Sequence, residues 1–392
     1  MSIFDADTHL YEEPDCFTRF LPARYRPRAL EVSEFEGARR WCFAGAPTVF
    51  VPDDISSAHG PGAGAEVFEP NTDPPKRHPT DIPLYRDPIV RRQFNESHAV
   101  IGAAVLPNIG LVAEHEMRSD PEASVANIVA YNTWLGNAWG FNLSETLFAI
   151  PIIPTAIPEA TNNEIHRLVS LGVRAVVVRP GPWGGLPPGD AAFDPFWSTV
   201  ASARIPVYVH ITQSGYSTWF GPALGIEADP ADTALTPLHV LGCFGSRPME
   251  DTFTSLAMWG VFDRWPDVII VSAENGGDFV DRLWDLEPFF GQWRSDRMSD
   301  ASGRSVAKPE KSIRTLARRH LRVVSPPYRS AAHLVSRLGA EAVLFGSDFP
   351  HPEGLPTPGH SHFVTEGLDM VERAKVLCGN ASRLFGLADV RG

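Results

Sequence analysis

The sequence predicts an α/β chain folded as a (β/α)8 barrel of the TIM-barrel class, with long loops inserted after the first and fifth strands. Three observations lead there: eight short apolar runs, helix-type stretches between them, and no Gly-rich phosphate turn after the first run. The runs are Ile3–Asp7, Ala99–Pro107, Leu147–Thr155, Ala175–Pro180, Pro206–Thr212, Val268–Glu274, His320–Ser325 and Ala342–Asp348. Runs this continuously apolar are buried on both faces, the habit of parallel strands covered by helices. Strands alternating with helices give either a barrel or a doubly wound open sheet. The missing Gly-rich turn weighs against the open sheet.

The intervening elements follow from periodicity. Pro121–Asn142 places Val125, Ile128, Val129 and Leu135 on one face, as a helix against a sheet requires. Asn163–Leu171, Phe193–Arg204, Glu250–Trp265, Phe279–Trp293 and Arg329–Leu338 read the same way. Residues 1–392 are expected to form a single barrel domain with an insertion at 24–97 and a long loop at 213–249. The insertion is rich in Pro, Gly and aromatics (Trp41, Phe43, Phe50, Phe68, Tyr85), and the loop carries Tyr216, Trp219, Phe220, His239 and Phe244. Both leave from strand C-termini, where barrel enzymes build their sites, so both are expected to wall an active site.

Composition narrows the function classes. A net charge of −13 argues against nucleic acid or an anionic membrane as partner, since both attract clustered Lys and Arg. The chain has no apolar run long enough to span a bilayer and no basic n-region with an apolar h-region at its start. Cys16, Cys42, Cys243 and Cys378 form no C-x-x-C pair and read as reduced thiols. The expectation is a cytoplasmic protein acting on a small molecule. Trp284, Phe289, Phe290 and Trp293 serve either the core or a homodimer contact, and helical spacing favours the core.

The strand ends carry the chemistry. The first run ends Asp7-Thr8-His9, the fifth in His210, the sixth in Glu274-Asn275-Gly276, and the eighth in Asp348-Phe349-Pro350-His351. Residues i and i+2 of a strand share a face, so Asp7 and His9 can converge on one cation. Each residue also has a structural reading: His210 as a core histidine bonded to backbone, Asp348 as a turn cap, Glu274 as partner of Arg179 or Arg282. Their coincidence at one barrel mouth favours a metal site, because unpaired buried charge is costly. His351, Glu353, Asp5 and Glu12 lie close enough in sequence to add ligands or supports, or to form a solvated rim.

These motifs resemble the amidohydrolase superfamily, in the amidohydrolase-related branch that holds aminocarboxymuconate-semialdehyde decarboxylase and the nonoxidative aromatic-acid decarboxylases. The resemblance covers nearly the whole chain. It rests on Asp5-Ala-Asp-Thr-His9, Val207-Tyr-Val-His210, Leu344-Phe-Gly-Ser-Asp348-Phe-Pro-His351 and the tail Gly379-Asn-Ala-Ser-Arg-Leu-Phe-Gly386. It implies that Asp7, His9 and His210 are metal ligands and that Asp348 is both ligand and proton carrier. Where the branch commonly has His-x-Gly after strand six, this chain has Glu274-Asn275-Gly276. A further carboxylate makes the site acid-rich and open to a second ion.

The expected cofactor is therefore one divalent metal ion, or two, with zinc, iron and manganese all compatible with N/O ligands. The first functional expectation is a metal-dependent hydrolase of an ester, thioester, lactone or amide. In it Asp348 moves the proton, and Glu274 bridges metals or orients water. The second is a nonoxidative decarboxylase, with Arg179 clamping the substrate carboxylate. The third is an inactive ligand-binding barrel. Trp219 and His351 join Arg179 as candidate substrate contacts.

Overall fold

The computed structural model describes residues 1–49, 57–62, 77–227, 236–239, 246–292 and 309–387, with Ser299 and Gly303. Phe50, Phe68, Cys243, Phe244 and Trp293 lie outside the described residues. All eight expected strands form: β1 (Ile3–His9), β2 (Val100–Leu106), β3 (Leu147–Ala149), β4 (Val176–Val178), β5 (Val207–His210), β6 (Ile270–Ala273), β7 (Leu321–Ser325) and β8 (Val343–Phe345). All of their pairings are parallel, in chain order, within one ladder of β1–β2–β3 and another of β4 through β8.

Two seams join the ladders into a ring. Between β3 and β4, Ile152 bridges Val177, with Ile153 N–H donating to Val177 O and Val177 N–H to Pro151 O, both at 2.9 Å. Between β8 and β1, Phe349 bridges Thr8. There His9 N–H donates to Phe349 O at 2.7 Å and Asp348 N–H to Asp7 O at 2.8 Å. Closure at the second seam falls between residues that run on past the strand proper. Those residues carry the site.

The ring is filled as a packed barrel is filled. Phe4 of β1, Phe148 of β3 and Tyr208 of β5 are all buried and gather with Phe385 of the C-terminal segment, whose ring lies 5.0, 4.9 and 6.5 Å from theirs. Alternate strands contributing to one layer is the barrel habit. The tail is fastened by Asn380, which donates to Ala340 O at 2.7 Å and Val343 O at 2.9 Å beside β8.

Around the ring, helices start where local chemistry lets them. Pro121–Ala138 opens with Pro after Asp120, whose carboxylate accepts from Ala123 N–H. Pro158–Ser170, Asp194–Ala203 and Ala332–Leu338 fill the expected positions. Two expected helices are each broken in two. Glu250–Trp265 is Ser246–Met258 followed by Val261–Arg264, interrupted by Gly260 at φ +69°. Phe279–Trp293 is Phe279–Asp285 followed by Glu287–Gln292. Across these two pieces the spacing argument half holds: Trp284 and Phe290 are buried, whereas Phe289 is 67% exposed. Among the described residues no helix is long and apolar enough to cross a membrane.

The insertion has structure of its own. Leu30–Phe35, Ala38–Phe43 and Ala46–Pro47 form an antiparallel sheet. Its first turn is Glu36-Gly37 with both residues at positive φ, matching the twist of a tight hairpin. Trp41 packs its buried ring edge-on to Phe17. Asn127 ties the sheet to the helix below, accepting from Leu30 N–H and donating to Arg28 O. A helix at Pro88–Ser97, capped by Asp87, then leads into β2.

Gly346, just past β8, shows how little space the seam leaves. A Cβ there would sit 2.4 Å from Val324 Cγ1 and 2.6 Å from Asp7 Cβ. Gly346→Ala is therefore expected to destabilise the protein by about 1–3 kcal/mol, as overpacking of a tight core does. It should also weaken metal uptake, because Asp7 must move. Chemical denaturation and a metal titration on the same preparation check this, and unchanged values in both would refute it.

Candidate metal centre

The described strand ends bring Asp7, His9, His210, Glu274, Asp348 and His351 into one cluster, in which Glu274 and His351 are half-buried and the other four buried. Ligand-type atoms of Asp7, His9, His210 and Glu274 lie within 4.8 Å of one another, and so do those of His9, Glu274, Asp348 and His351. His9 Nε2 is 3.0 Å from Glu274 Oε1, 3.4 Å from Asp7 Oδ1 and 3.5 Å from Asp348 Oδ1. His210 Nε2 is 3.5 Å from Asp7 Oδ1 and 3.4 Å from Glu274 Oε1. His351 Nδ1 contacts Asp348 Oδ1 at 2.8 Å, and its ring stacks on His9 with centroids 4.0 Å apart.

Backbone strain aims two of these carboxylates. Glu274 and Asp348 both sit at φ +55°, in the left-handed region that L side chains seldom adopt. The turn at each strand end is then fixed by neighbours. Asn275 donates to Val209 O at 2.7 Å and to Ala273 O at 2.9 Å, stapling the end of β6 to β5 beside His210. Ser347 N–H donates to Asp5 Oδ1 at 2.8 Å, and its hydroxyl donates to Asp5 Oδ2 at 2.5 Å.

The donor set fits a cation. His9 Nδ1 lies 2.8 Å from Pro107 O, and His210 Nδ1 lies 2.8 Å from Ile211 O. A carbonyl can only accept, so each Nδ1 carries hydrogen and each neutral ring turns its Nε2 lone pair toward carboxylate oxygens. Lone pairs facing anions repel unless a positive charge lies between them. Asp7 Oδ1 and His210 Nε2 are buried and make no hydrogen bond, which leaves both for such a charge.

Electrostatics point the same way. Burial alone would raise Asp7, but His210 and His9 outweigh it and hold the carboxyl below its ordinary value. For Glu274 burial is likewise outweighed, by His210, His351 and His9, and the carboxyl is held well below the usual range. Burial and the Glu274 charge push Asp348 well above it. Burial would lower His210 and His351, but Glu274 and Asp348 respectively dominate and raise both well above the usual imidazole range. Left alone, the carboxylates draw protons onto the imidazoles. A divalent cation answers the same need.

The other sequence candidates separate. Glu274 pairs with neither arginine suggested for it: Arg282 contacts Glu250, and Arg179 Nε lies 3.8 Å from Glu114. Arg179 also donates to Pro182 O at 2.7 Å. Trp219 is 62% exposed and stacks on Tyr216 at 5.5 Å. Asp5 and Glu12 are buried rather than solvated. Asp5 braces Ser347, and burial pushes it up to about 7. Glu12 accepts the N–H groups of Asn108, Ile109 and Gly110 at the start of helix Ile109–Glu116. Glu353 is exposed. Asn275 and Ser347 are the supports that sequence reading passed over, although each directly neighbours a candidate ligand.

Comparison with known proteins agrees with this geometry. The family model described as amidohydrolase matches residues 109–387. No curated protein matches the chain. Among solved structures, amidohydrolase map2389c from Mycobacterium avium subsp. paratuberculosis K-10 is 26% identical with a TM-score of 0.85, over 98% of this chain and 99% of that one. The 5-carboxyvanillate decarboxylase of Sphingomonas paucimobilis shares 17% identity and a TM-score of 0.63, over 99% of each chain. A dihydroxybenzoic acid decarboxylase from Polaromonas sp. JS666, solved with bound manganese and an inhibitor, shares 16% and a TM-score of 0.56, over 76% of this chain and 85% of that one. At that identity the last two show likeness of fold. With the family model spanning most of the barrel and a divalent-ion donor set at its mouth, the chain belongs to the amidohydrolase family as one of its metal enzymes.

Proposed function

We propose that this enzyme is a metal-dependent hydrolase acting on a neutral carbonyl compound, an ester, thioester, lactone or amide with a largely apolar body. The observation that carries the reading is Glu274. It adds a third carboxylate to Asp7 and Asp348, so a single divalent ion leaves the ionised centre with a net negative charge. Such a centre repels an anionic acid and tolerates an uncharged carbonyl. In the decarboxylase reading a cationic side chain would clamp the substrate carboxylate beside the ion. Arg179, the candidate for that task, is turned toward Glu114 and Pro182 O.

Asp7, His9, His210 and Asp348 would hold the ion, with Glu274 completing the set or reaching a second ion. When bound, the ion supplies Lewis acidity and a lowered pKa for water. Asp348 takes the proton of the attacking water and returns it to the leaving group. Its raised proton affinity suits that exchange. His351, 2.8 Å from Asp348 Oδ1, orients that carboxyl. The insertion at 24–97 and the loop at 213–249, with Trp219, would wall the mouth against water and receive the apolar part of the substrate. The rival reading is nonoxidative decarboxylation of an aromatic or unsaturated acid. It is supported by the carboxyl-bound proton that Asp348 could give to carbon, and by the decarboxylase names of solved structures with this fold.

Metal binding should release protons. His210 and His351 hold theirs more firmly than a free imidazole, so the ion must displace them, and affinity should rise with pH through neutrality. Mn2+ titrations of chelator-treated protein, run by calorimetry in buffers of different ionisation enthalpy, measure this. Affinity that falls as pH rises would contradict it. His210→Ala should cost more than the about 100-fold typical of losing a supporting residue.

Asp348→Asn should lower kcat by about 10²–10⁴, the usual weight of a positioned acid–base group. Metal content of the variant, measured in parallel, separates lost proton transfer from lost binding. Aryl esters, acyl thioesters and lactones are assayed beside aromatic acids monitored for carbon dioxide release. Turnover confined to the acids would reject the hydrolase reading and establish its rival.

A further inference from the structure

Arg91 is a guanidinium with no exposed surface and, among the described residues, no carboxylate within ion-pair distance. It stands on helix Pro88–Ser97 of the insertion, not on the barrel. The Asp5 carboxylate acts on it only at longer range, and burying a cation without a contact ion pair costs several kcal/mol unless its hydrogen bonds are well met. Here they are met by backbone and hydroxyl oxygens. Nε donates to Leu84 O at 3.0 Å, Nη1 to Thr8 Oγ1 at 3.1 Å and Nη2 to His9 O at 2.8 Å.

Two of those three acceptors belong to the end of β1, on either side of the His9 N–H that closes the ring. Thr8 Oγ1 passes the link on, donating to Phe349 O at 2.6 Å. The guanidinium also lies over the Phe349 ring, 5.0 Å from its centroid. Thr8 separates the two candidate ligands Asp7 and His9, and Phe349 follows Asp348. One side chain from the insertion thus grips the backbone beside three ligand-bearing positions while touching none of their ligand atoms.

We infer that Arg91 is a positioning residue for the metal centre, locking the β8–β1 seam so that Asp7, His9 and Asp348 face one another at ligating distance. The inference rests on the metal reading given above. It makes the insertion a working part of the centre as well as a wall. A lysine cannot reproduce the fork that meets Thr8 and His9 together.

Arg91→Met keeps the bulk of the side chain and removes its donors. Two readouts follow in the metal-free and Mn2+-titrated protein. Hydrogen exchange of peptides spanning residues 1–12 and 343–352 should speed up in the variant while peptides of β4 and β5 stay protected. Mn2+ affinity should fall by about 10- to 100-fold, the range for residues that orient ligands. Arg91→Lys should recover only part of either.

Wild-type exchange at the seam, together with wild-type Mn2+ affinity in a folded Arg91→Met protein, overturns the inference. If that variant does not fold, Thr8→Val decides. It cuts the Oγ1 link without changing shape, and wild-type exchange and affinity in it are likewise fatal. A wild-type protein that takes up no Mn2+ would count against the metal reading instead, and the exchange measurement would still judge Arg91.

Discussion

Three carboxylates and three imidazoles share one buried volume, and the rest of the site depends on what balances them. Asp7, Glu274 and Asp348 cannot all stay ionised out of water without positive charge among them. The carboxylates raise the proton affinity of His210 and His351, so protons there would supply it in one state and a divalent cation in the other. Two buried atoms without hydrogen bonds, Asp7 Oδ1 and His210 Nε2, show that protons satisfy the cluster incompletely. The cation therefore has a structural role before any chemical one: it turns mutual repulsion into coordination.

Holding such a cluster together before the cation arrives demands rigid supports, and each ligand-bearing strand end has one. Asn275 joins β6 to β5 through two carbonyls, and Asp5 with Ser347 fixes the turn that carries Asp348. Glu12 collects three N–H groups at a helix start and accepts from Tyr131 besides. The carboxylates of Asp5 and Glu12 are well met by these donors, whereas Asn275 bonds through its amide nitrogen and leaves its buried Oδ1 without a partner. These networks also maintain the left-handed backbone at Glu274 and Asp348, a local cost that the surrounding contacts must exceed.

Much of this was legible in the chain. The eight strands are continuous apolar runs whose burial needs no partner to be specified, so β1 through β8 appear where hydrophobicity puts them. Asp7, His9, His210, Glu274 and Asp348 are legible for the complementary reason: ionisable residues closing apolar strands have few inexpensive explanations. Helix breaks were less visible. The stretch Glu250–Trp265 is periodic throughout, and the structure interrupts it at Gly260, which sits at φ +69°. Arg91 is not legible in the sequence because its site partners are the Thr8 hydroxyl and the His9 carbonyl, 83 and 82 residues away, and no residue type advertises a carbonyl. Asp5 and Glu12 looked like ligands or rim for a similar reason, since sequence shows a carboxylate but not the amide N–H groups it accepts.

The β8–β1 seam joins these strands of argument. A barrel must close somewhere, and in this chain closure is made by residues flanking the candidate ligands: Thr8 beside Asp7 and His9, Phe349 beside Asp348. A bridge placed there sets the separation of the first and last ligand-bearing strands to within a hydrogen bond. Gly346 provides the close approach, Asp5 and Ser347 tie it from one side, and Arg91 ties it from the other. Fold stability and site geometry thus draw on the same few contacts. The β3–β4 seam, by contrast, carries none of the candidate ligands. Glu274, entering from the end of β6 two strands away from β8, brings its carboxylate to 3.0 Å from His9 Nε2. Its contact with His9 therefore depends on where the closing seam holds β1.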